Sequence, residues 1–316
     1  MDFLEDYMNI NDNACFLCGS IHQSQITKEH VFPKWMLTKY NIWDKKLQLL
    51  NGTLLPYRQL LVPCCKNCNS GALATLEREI SVSIEEGYKS ASNLNHYQWY
   101  LWVGKIFYGI LRKEVTLLKD RAKLDSGTII SNELLRAYSE LHYFLQGVLG
   151  RHEFNNILPY SVLIVNVHGE DFFFRDNLYP GACLLKIGTI GLIVTFFDGE
   201  NVSKFLNGLI KKIRKEKLNE IQFCELYVRC LDISARSSPL KYMHTKSIDD
   251  SMNLTYIFES PYVSEFNASN YLCVMNDVFK SLPYYNEEFF KTLPKDMIPS
   301  YIFNDKGGFN SNNPLL

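Results

Sequence analysis

The 316-residue sequence contains no run of 18 uninterrupted apolar residues. Its richest stretch, residues 97–111, is broken by Lys105, and residues 187–197 are too few for a bilayer that needs roughly 20 apolar residues in a helix. No membrane span is expected. The first twelve residues are acidic and lack the apolar centre of a secretory signal. They are read as a lightly packed leader. No internal repeat is apparent. Neither sign of charge prevails, since 33 basic and 34 acidic residues leave a net of -1. The chain as a whole therefore does not advertise a nucleic-acid binder. Residues 13–75 differ: Lys28, Lys34, Lys39, Lys45, Lys46, Arg58 and Lys66 oppose only Glu29 and Asp44. An apolar content of 47% over this length fits a globular protein of two or three units.

Cysteine is plentiful, with nine residues. Cys15-x-x-Cys18 and Cys65-x-x-Cys68 are two pairs at knuckle spacing, and Gly19 follows the first pair where a knuckle needs a positive φ angle. Four thiolates arranged this way suit a tetrahedral structural zinc. Either Cys64 or Cys65 could be the third ligand, and the two-residue gap to Cys68 favours Cys65. A zinc here would clamp the 46 residues between Cys18 and Cys65 as a loop. Thiols kept for zinc need a reducing compartment, so a cytoplasmic location is expected. Cys183, Cys224, Cys230 and Cys273 stand singly among apolar neighbours and read as core.

Between the pairs lies T-K-E-H-V-F-P, residues 27–33, and Asn69 follows the last cysteine directly. Residues 70–86 carry Leu73, Leu76, Ile80 and Ile84 at helical spacing. A helix start offers free N–H groups and a partial positive charge, so Asn69 falls where a phosphate would be drawn, and it could also cap the helix. Hydrolysis of a phosphodiester needs a water deprotonated near neutral pH, which suits the imidazole of His30. It also needs a cation at the scissile phosphate. The oxygen ligands Glu29 and Asn69 suit magnesium or manganese. Neighbours on a strand face opposite ways, so Glu29 and His30 converge only where the strand bends, and Pro33 is consistent with such an ending.

The pattern C-x-x-C, acid-His-hydrophobic-x-Pro, C-x-x-C-Asn resembles the His-Asn-His (HNH) endonuclease superfamily in its four-cysteine, zinc-stapled ββα-metal form, the endonuclease VII type of layout. The resemblance covers roughly residues 13–80. It implies that Glu29 and Asn69 ligate one divalent cation, that His30 is the general base, and that cleavage leaves 5′-phosphate and 3′-hydroxyl ends. It also implies DNA as partner, with RNA left open, and roles such as restriction or antiviral defence. Two departures stand out. Glu29 replaces the more usual Asp or His, and no asparagine occupies the middle position on the second strand. Gln59 could substitute there by hydrogen bonding; Arg58 could instead clamp phosphate, and Lys34 is a further candidate. Asn51-Gly52 reads as a hairpin turn.

The expected fold is α+β, with an N-terminal treble-clef ββα-metal domain at 13–88, a helical region at 89–157, an α+β accessory domain at 158–303 and a disordered tail at 304–316. Trp35, Met36 and Leu37 are expected to pack against the helix of the first domain. Residues 95–123 form an apolar helical stripe, and 133–150 read as a helix ending at Gly150. Residues 160–167, 172–175, 182–187 and 190–197 read as an antiparallel sheet. Residues 201–217 return to helix with the basic run K-K-I-R-K-E-K, either a nucleic-acid contact or a solvated face. Residues 220–233 read as helix or strand. His22, His96, His142, His152, His168 and His244 are read as core or surface. Nothing in 89–316 attaches to chemistry, so those residues are expected to select substrate, dimerise or restrain the nuclease until a partner arrives. Two alternatives stand beside a nuclease: a non-catalytic zinc-shaped binding module, and a protein whose working part is the sheet at 158–197.

Overall fold

The computed structural model describes residues 13–21, 25–150, 152–246, 252–258, 260–282, 285–286, 288 and 298–311. The expected leader and His22 lie outside them. The fold is mixed α+β. In chain order come β1 (Ile26–His30), α1 (Lys34–Lys39), β2 (Lys46–Gln48), β3 (Leu54–Pro56), β4 (Leu61–Cys65), α2 (Ala74–Glu85), α3 (Tyr88–Asn93) and α4 (His96–Glu114). Next are α5 (Asn132–Arg136), α6 (Ser139–Leu145), β5 (His152–Phe154), β6 (Ser161–Val167), β7 (Phe172–Asn177), β8 (Ala182–Ile187) and β9 (Ile190–Thr195). The chain then forms α7 (Asn201–Ile213), β10 (Lys217–Leu218), α8 (Glu220–Arg236), β11 (Tyr242–Lys246), β12 (Met252–Tyr256) and α9 (Ala268–Phe279).

Two compact units result: residues 1–82, 97–153 and 244–254, and residues 83–96, 154–243 and 255–316. In the first, β1 pairs antiparallel with β4, His30 opposite Leu61 and Ile26 opposite Cys65. The short hairpin β2–β3 interrupts the connection, turning at Asn51-Gly52 with Gly52 at φ 80°. Asn51 completes the turn by accepting from Thr53 N–H at 3.0 Å. Trp35 stacks on Trp102 of α4 with ring centres 6.3 Å apart, and Met36 and Leu37 are buried. Gly109 makes the approach of α4 possible, because a Cβ there would stand 3.1 Å from the Val31 side chain.

Helix α4 stops at Glu114, short of the expected 123. Thr116 Oγ1 donates to Lys113 O at 2.7 Å, the kind of local bond that competes with helix continuation. Residues 133–150 do not form one helix. Ser131 caps α5 by accepting from Leu134 N–H, the chain turns at Ala137-Tyr138, α6 follows, and a 3-10 turn (Gln146–Leu149) ends at Gly150 with φ 68°.

In the second unit the expected antiparallel strands form a five-stranded sheet in the order β10-β6-β9-β8-β7. The pair β10 and β6 is parallel. Residues 220–236 resolve as helix, fixed by a capping box in which Asn219 and Gln222 satisfy each other's backbone N–H. Helix α8 buries Phe223, Leu226, Tyr227 and Leu231 with Leu163, Val165 and Ile193 of the sheet, and α9 adds Tyr271 and Met275. Burying such side chains stabilises by roughly 1.5–3 kcal/mol each. The weak pattern after residue 237 did not reveal α9. Cys183, Cys224 and Cys230 are buried as expected, but Cys273 lies on the exposed face of α9. The tail is also more ordered than expected, since Asn304 N–H donates to Gly308 O and Asn310 O accepts from Gln222. Residues 312–316 fall outside the described ones.

Candidate metal centre

Two segments far apart in sequence bring the four cysteines together. The first is the turn at 15–20, closed by Gly19 N–H to Cys15 O at 2.9 Å and Cys15 N–H to Ser20 O at 2.8 Å, with Gly19 at φ 70°. Only glycine takes that angle without strain. The second is the end of β4 running into a π-helical turn, Cys68–Leu73. Phe16 N–H donates to Pro63 O at 2.8 Å and joins the two.

The sulfurs of Cys15, Cys18, Cys65 and Cys68 all lie within 4.8 Å of one another, and Cys18 and Cys65 are 3.7 Å apart. A zinc–sulfur bond of about 2.3 Å in a tetrahedron implies sulfur–sulfur edges of about 3.8 Å. The tetrad therefore fits a zinc-sized ion. Cys65 completes it, while Cys64 stands beside it with its sulfur 3.9 Å from that of Cys15. Thiol hydrogen bonds from Cys18, Cys64 and Cys68 hold the Cys15 thiol far below its ordinary pKa. The bond to Cys15 pushes Cys18 up to about 11 and raises Cys64 and Cys68 well above the usual thiol range. Four thiolates this close together would require a bound cation.

Helix α6 and the turn after it hold the knuckle from behind. His142 Nε2 lies 3.0 Å from Phe16 O, and Gln146 Nε2 donates to Leu17 O. These residues are four apart and share one helical face. Burial lowers the His142 pKa to about 4, so the ring is neutral and donates through Nε2.

Glu29 and His30 end β1. Glu29 is 8% exposed, and its Oε1 is 2.7 Å from Lys105 Nζ of α4. The same ammonium is 2.9 Å from Glu77 Oε1 of α2 and donates to His30 O at 2.8 Å and Val31 O at 3.2 Å. Burial opposes the charge on fully buried Lys105, but Glu77 and Glu29 outweigh it and raise its pKa. Burial raises Glu77 against the pull of Lys105. His30 stands edge-on to Trp43, ring centres 5.7 Å apart. Burial, then the nearby Lys34, lower its pKa, which favours a neutral imidazole.

Asn69 does not cap a helix. Its Nδ2 donates to Thr27 Oγ1 at 2.9 Å, and Thr27 Oγ1 donates to Cys64 O at 2.8 Å. Thr27 and Glu29 lie two apart on β1, so they share one face while His30 points to the other. The geometry thus places Asn69 on the Glu29 face, one residue past a cysteine of the tetrad. Arg58 pairs with Asp44 at 3.0 Å, both exposed. Gln59 is exposed in a 3-10 turn (Tyr57–Gln59) before β4, and among the described residues no hydrogen bond joins it to His30. Lys34 is exposed at the start of α1.

Lys105, Glu77, Trp43, His142 and Gln146 were not among the candidates drawn from sequence. Lys105 carried a readable signal: a lysine inside an apolar stripe must find acids, and Glu29 and Glu77 are the ones that reach it. The fold and site define a mixed α+β protein whose four-cysteine cluster could hold a structural metal such as zinc, with no described helix long and apolar enough to cross a membrane. Set beside family models, curated proteins and solved structures, the chain matches none.

Proposed function

We propose that the first unit is a zinc-stapled, divalent-metal-dependent endonuclease of the HNH type acting on DNA. What supports the reading is that β1, which ends in Glu29 and His30, pairs with β4 beside the tetrad, and that Asn69, one residue past Cys68, bonds to Thr27 on the Glu29 face of that strand. Glu29 and Asn69 would hold magnesium or manganese, which supplies charge neutralisation at the scissile phosphate and the leaving oxygen. His30 takes the proton from the attacking water, and its contact with Trp43 fixes the ring. Lys105 fixes the bend after β1 by binding the His30 and Val31 carbonyls.

The test is nicking of supercoiled plasmid by purified protein with magnesium or manganese, beside His30→Ala. Removing the base is expected to slow nicking by about 10²- to 10⁴-fold. Equal nicking by both proteins, or none by wild type with either metal, would reject the proposal.

One observation favours a second reading, a non-catalytic zinc-shaped binding module. The Glu29 carboxylate is already neutralised by Lys105 and shared with Glu77, the arrangement of a structural ion cluster. Manganese titration of the zinc-loaded protein separates the two readings. A nuclease binds a second cation, and Glu29→Gln weakens that binding; a binding module shows neither effect.

A further inference from the structure

Within the second unit, α3 and α7 flank a cleft of about 520 Å³ with Ile164 of β6 in its lining. Each helix brings a cation and an amide to it. On α7, Asn207, Lys211 and Arg214 follow at intervals of four and three, which places them on one face. On α3, Lys89 and Asn93 are four apart, and Tyr88 lies beside them. No acid lines the cleft.

Five other cations of this unit have ion pairs: Arg175 with Asp277, Lys186 with Asp171, Lys204 with Glu200, Arg229 with Glu225 and Arg236 with Asp232. Lys89, Lys211 and Arg214 have no ion pair among the described residues. Lys211 and Arg214 complement the negative end of α7. That reason does not extend to Lys89, which comes from another helix to the same space. Three cations lining one cleft, with no acid among its described lining residues, complement an anion bound between them. Burial raises the Tyr88 pKa and Arg214 opposes the rise, so the phenol and the guanidinium are close enough to interact.

We propose that this cleft binds a nucleotide, a nucleoside phosphate of mononucleotide size. Lys89, Lys211 and Arg214 hold the phosphates, Tyr88 offers a ring to the base, and Asn93 and Asn207 offer amides to its edge. Arginine and lysine bind phosphate through charge-assisted hydrogen bonds, aromatic rings stack on any base, and carboxamides match base edges. The volume falls in the roughly 300–1,000 Å³ range of small-molecule sites. A cleft of this size suits a single nucleotide.

The experiment is calorimetric titration of the purified full-length chain with the four ribonucleoside triphosphates, their monophosphates, inorganic pyrophosphate and a twelve-residue oligothymidylate. At least one nucleotide is expected to saturate one site with a Kd below about 1 mM. The Lys211→Ala/Arg214→Ala double variant should weaken it at least about tenfold, and Lys89→Ala should weaken it measurably. All three side chains are exposed, so unchanged melting temperatures serve as the folding control. Any of four results would overturn the proposal: no nucleotide saturates, pyrophosphate binds as tightly as every nucleotide, the double variant binds like wild type, or only the oligonucleotide binds. No nuclease assay enters the measurement, so it stands apart from the reading of the first unit.

Discussion

The two units bury ionisable groups on different terms. In the first they are pooled. Lys105 serves two carboxylates and two carbonyls at once, and the four sulfurs of the tetrad lie close enough to hold one ion between them. In the second, Asp198 and Glu225 each gather their own set of protein donors. Asp198 accepts from Ser161 Oγ at 2.6 Å, Thr195 Oγ at 2.7 Å and Val202 N–H at 2.8 Å. Glu225 accepts from Arg229, Ser300 Oγ and Ile302 N–H. A pooled cluster fails as a whole when one member is lost, and the four sulfurs of the tetrad could hold an ion taken from solution. A locally satisfied acid loses only its own bonds. The first unit should therefore depend on metal and the second should not.

The largest expected effect breaks the units apart. Structural zinc contributes about 10–16 kcal/mol of apparent binding free energy in small zinc domains, where binding is coupled to folding. Cys68→Ser should abolish stoichiometric zinc, and hydrogen exchange should then show lost protection in β1 and β4 while β6, β8 and β9 keep theirs. Equal loss in both units would refute the contrast. Next is Lys105→Met, which leaves Glu29 and Glu77 buried without their cation. Breaking a buried pair costs about 3–5 kcal/mol. Urea unfolding should register that loss, and adding Glu29→Gln and Glu77→Gln should recover part of it.

In the second unit the matching change is smaller. Glu225→Gln weakens bonds to the 300–302 segment and to Arg229, for a cost of about 1–3 kcal/mol. Its exchange signature should stay near α8.

The smallest effect is one of sign. His142 is held neutral, its pKa lowered from 6.5 to about 4. The unfolded chain therefore binds more protons at this residue between those values, and the His142 contribution to the first unit's stability is lost as pH falls from 6.5 towards 4, while Glu140, raised by burial from 4.5 to about 7, contributes in the opposite sense. Burial raises Asp198 from 3.8 to about 6, so the folded state binds the extra proton and the second unit gains stability over the fall from 6 towards 4. Exchange rates read separately for the two units at pH 6.5 and 4.5 test this. His142→Gln should flatten the first response and Asp198→Asn the second.

What the sequence made legible follows from how local the determinants are. The knuckle at 15–20, the Asn51-Gly52 turn and the strands of β6 to β9 are set by residues within a few positions of one another, and their spacing is written in the chain. The stop of α4 at Glu114 was less visible, because Val115 and the following leucines continue the apolar pattern while the Thr116 hydroxyl ends the helix. The cluster at Lys105 was hidden for another reason. Its partners come from β1 and α2, and only the packed structure shows that a lysine read as an interruption of an apolar run is the hub of three elements. Asn69 lies within the turn after Cys68 rather than capping a helix, and its bond to Thr27 depends on the pairing register of β1 with β4.

The central claim is that four thiolates around one zinc join the knuckle at 15–20 to the end of β4 and the Asn69 turn, beside the strand that carries Glu29. X-ray absorption at the zinc edge of the purified protein measures that shell directly. The account predicts one zinc per chain with four sulfur neighbours at about 2.3 Å. A shell containing nitrogen or oxygen, or a folded chain that takes up no zinc, would contradict it.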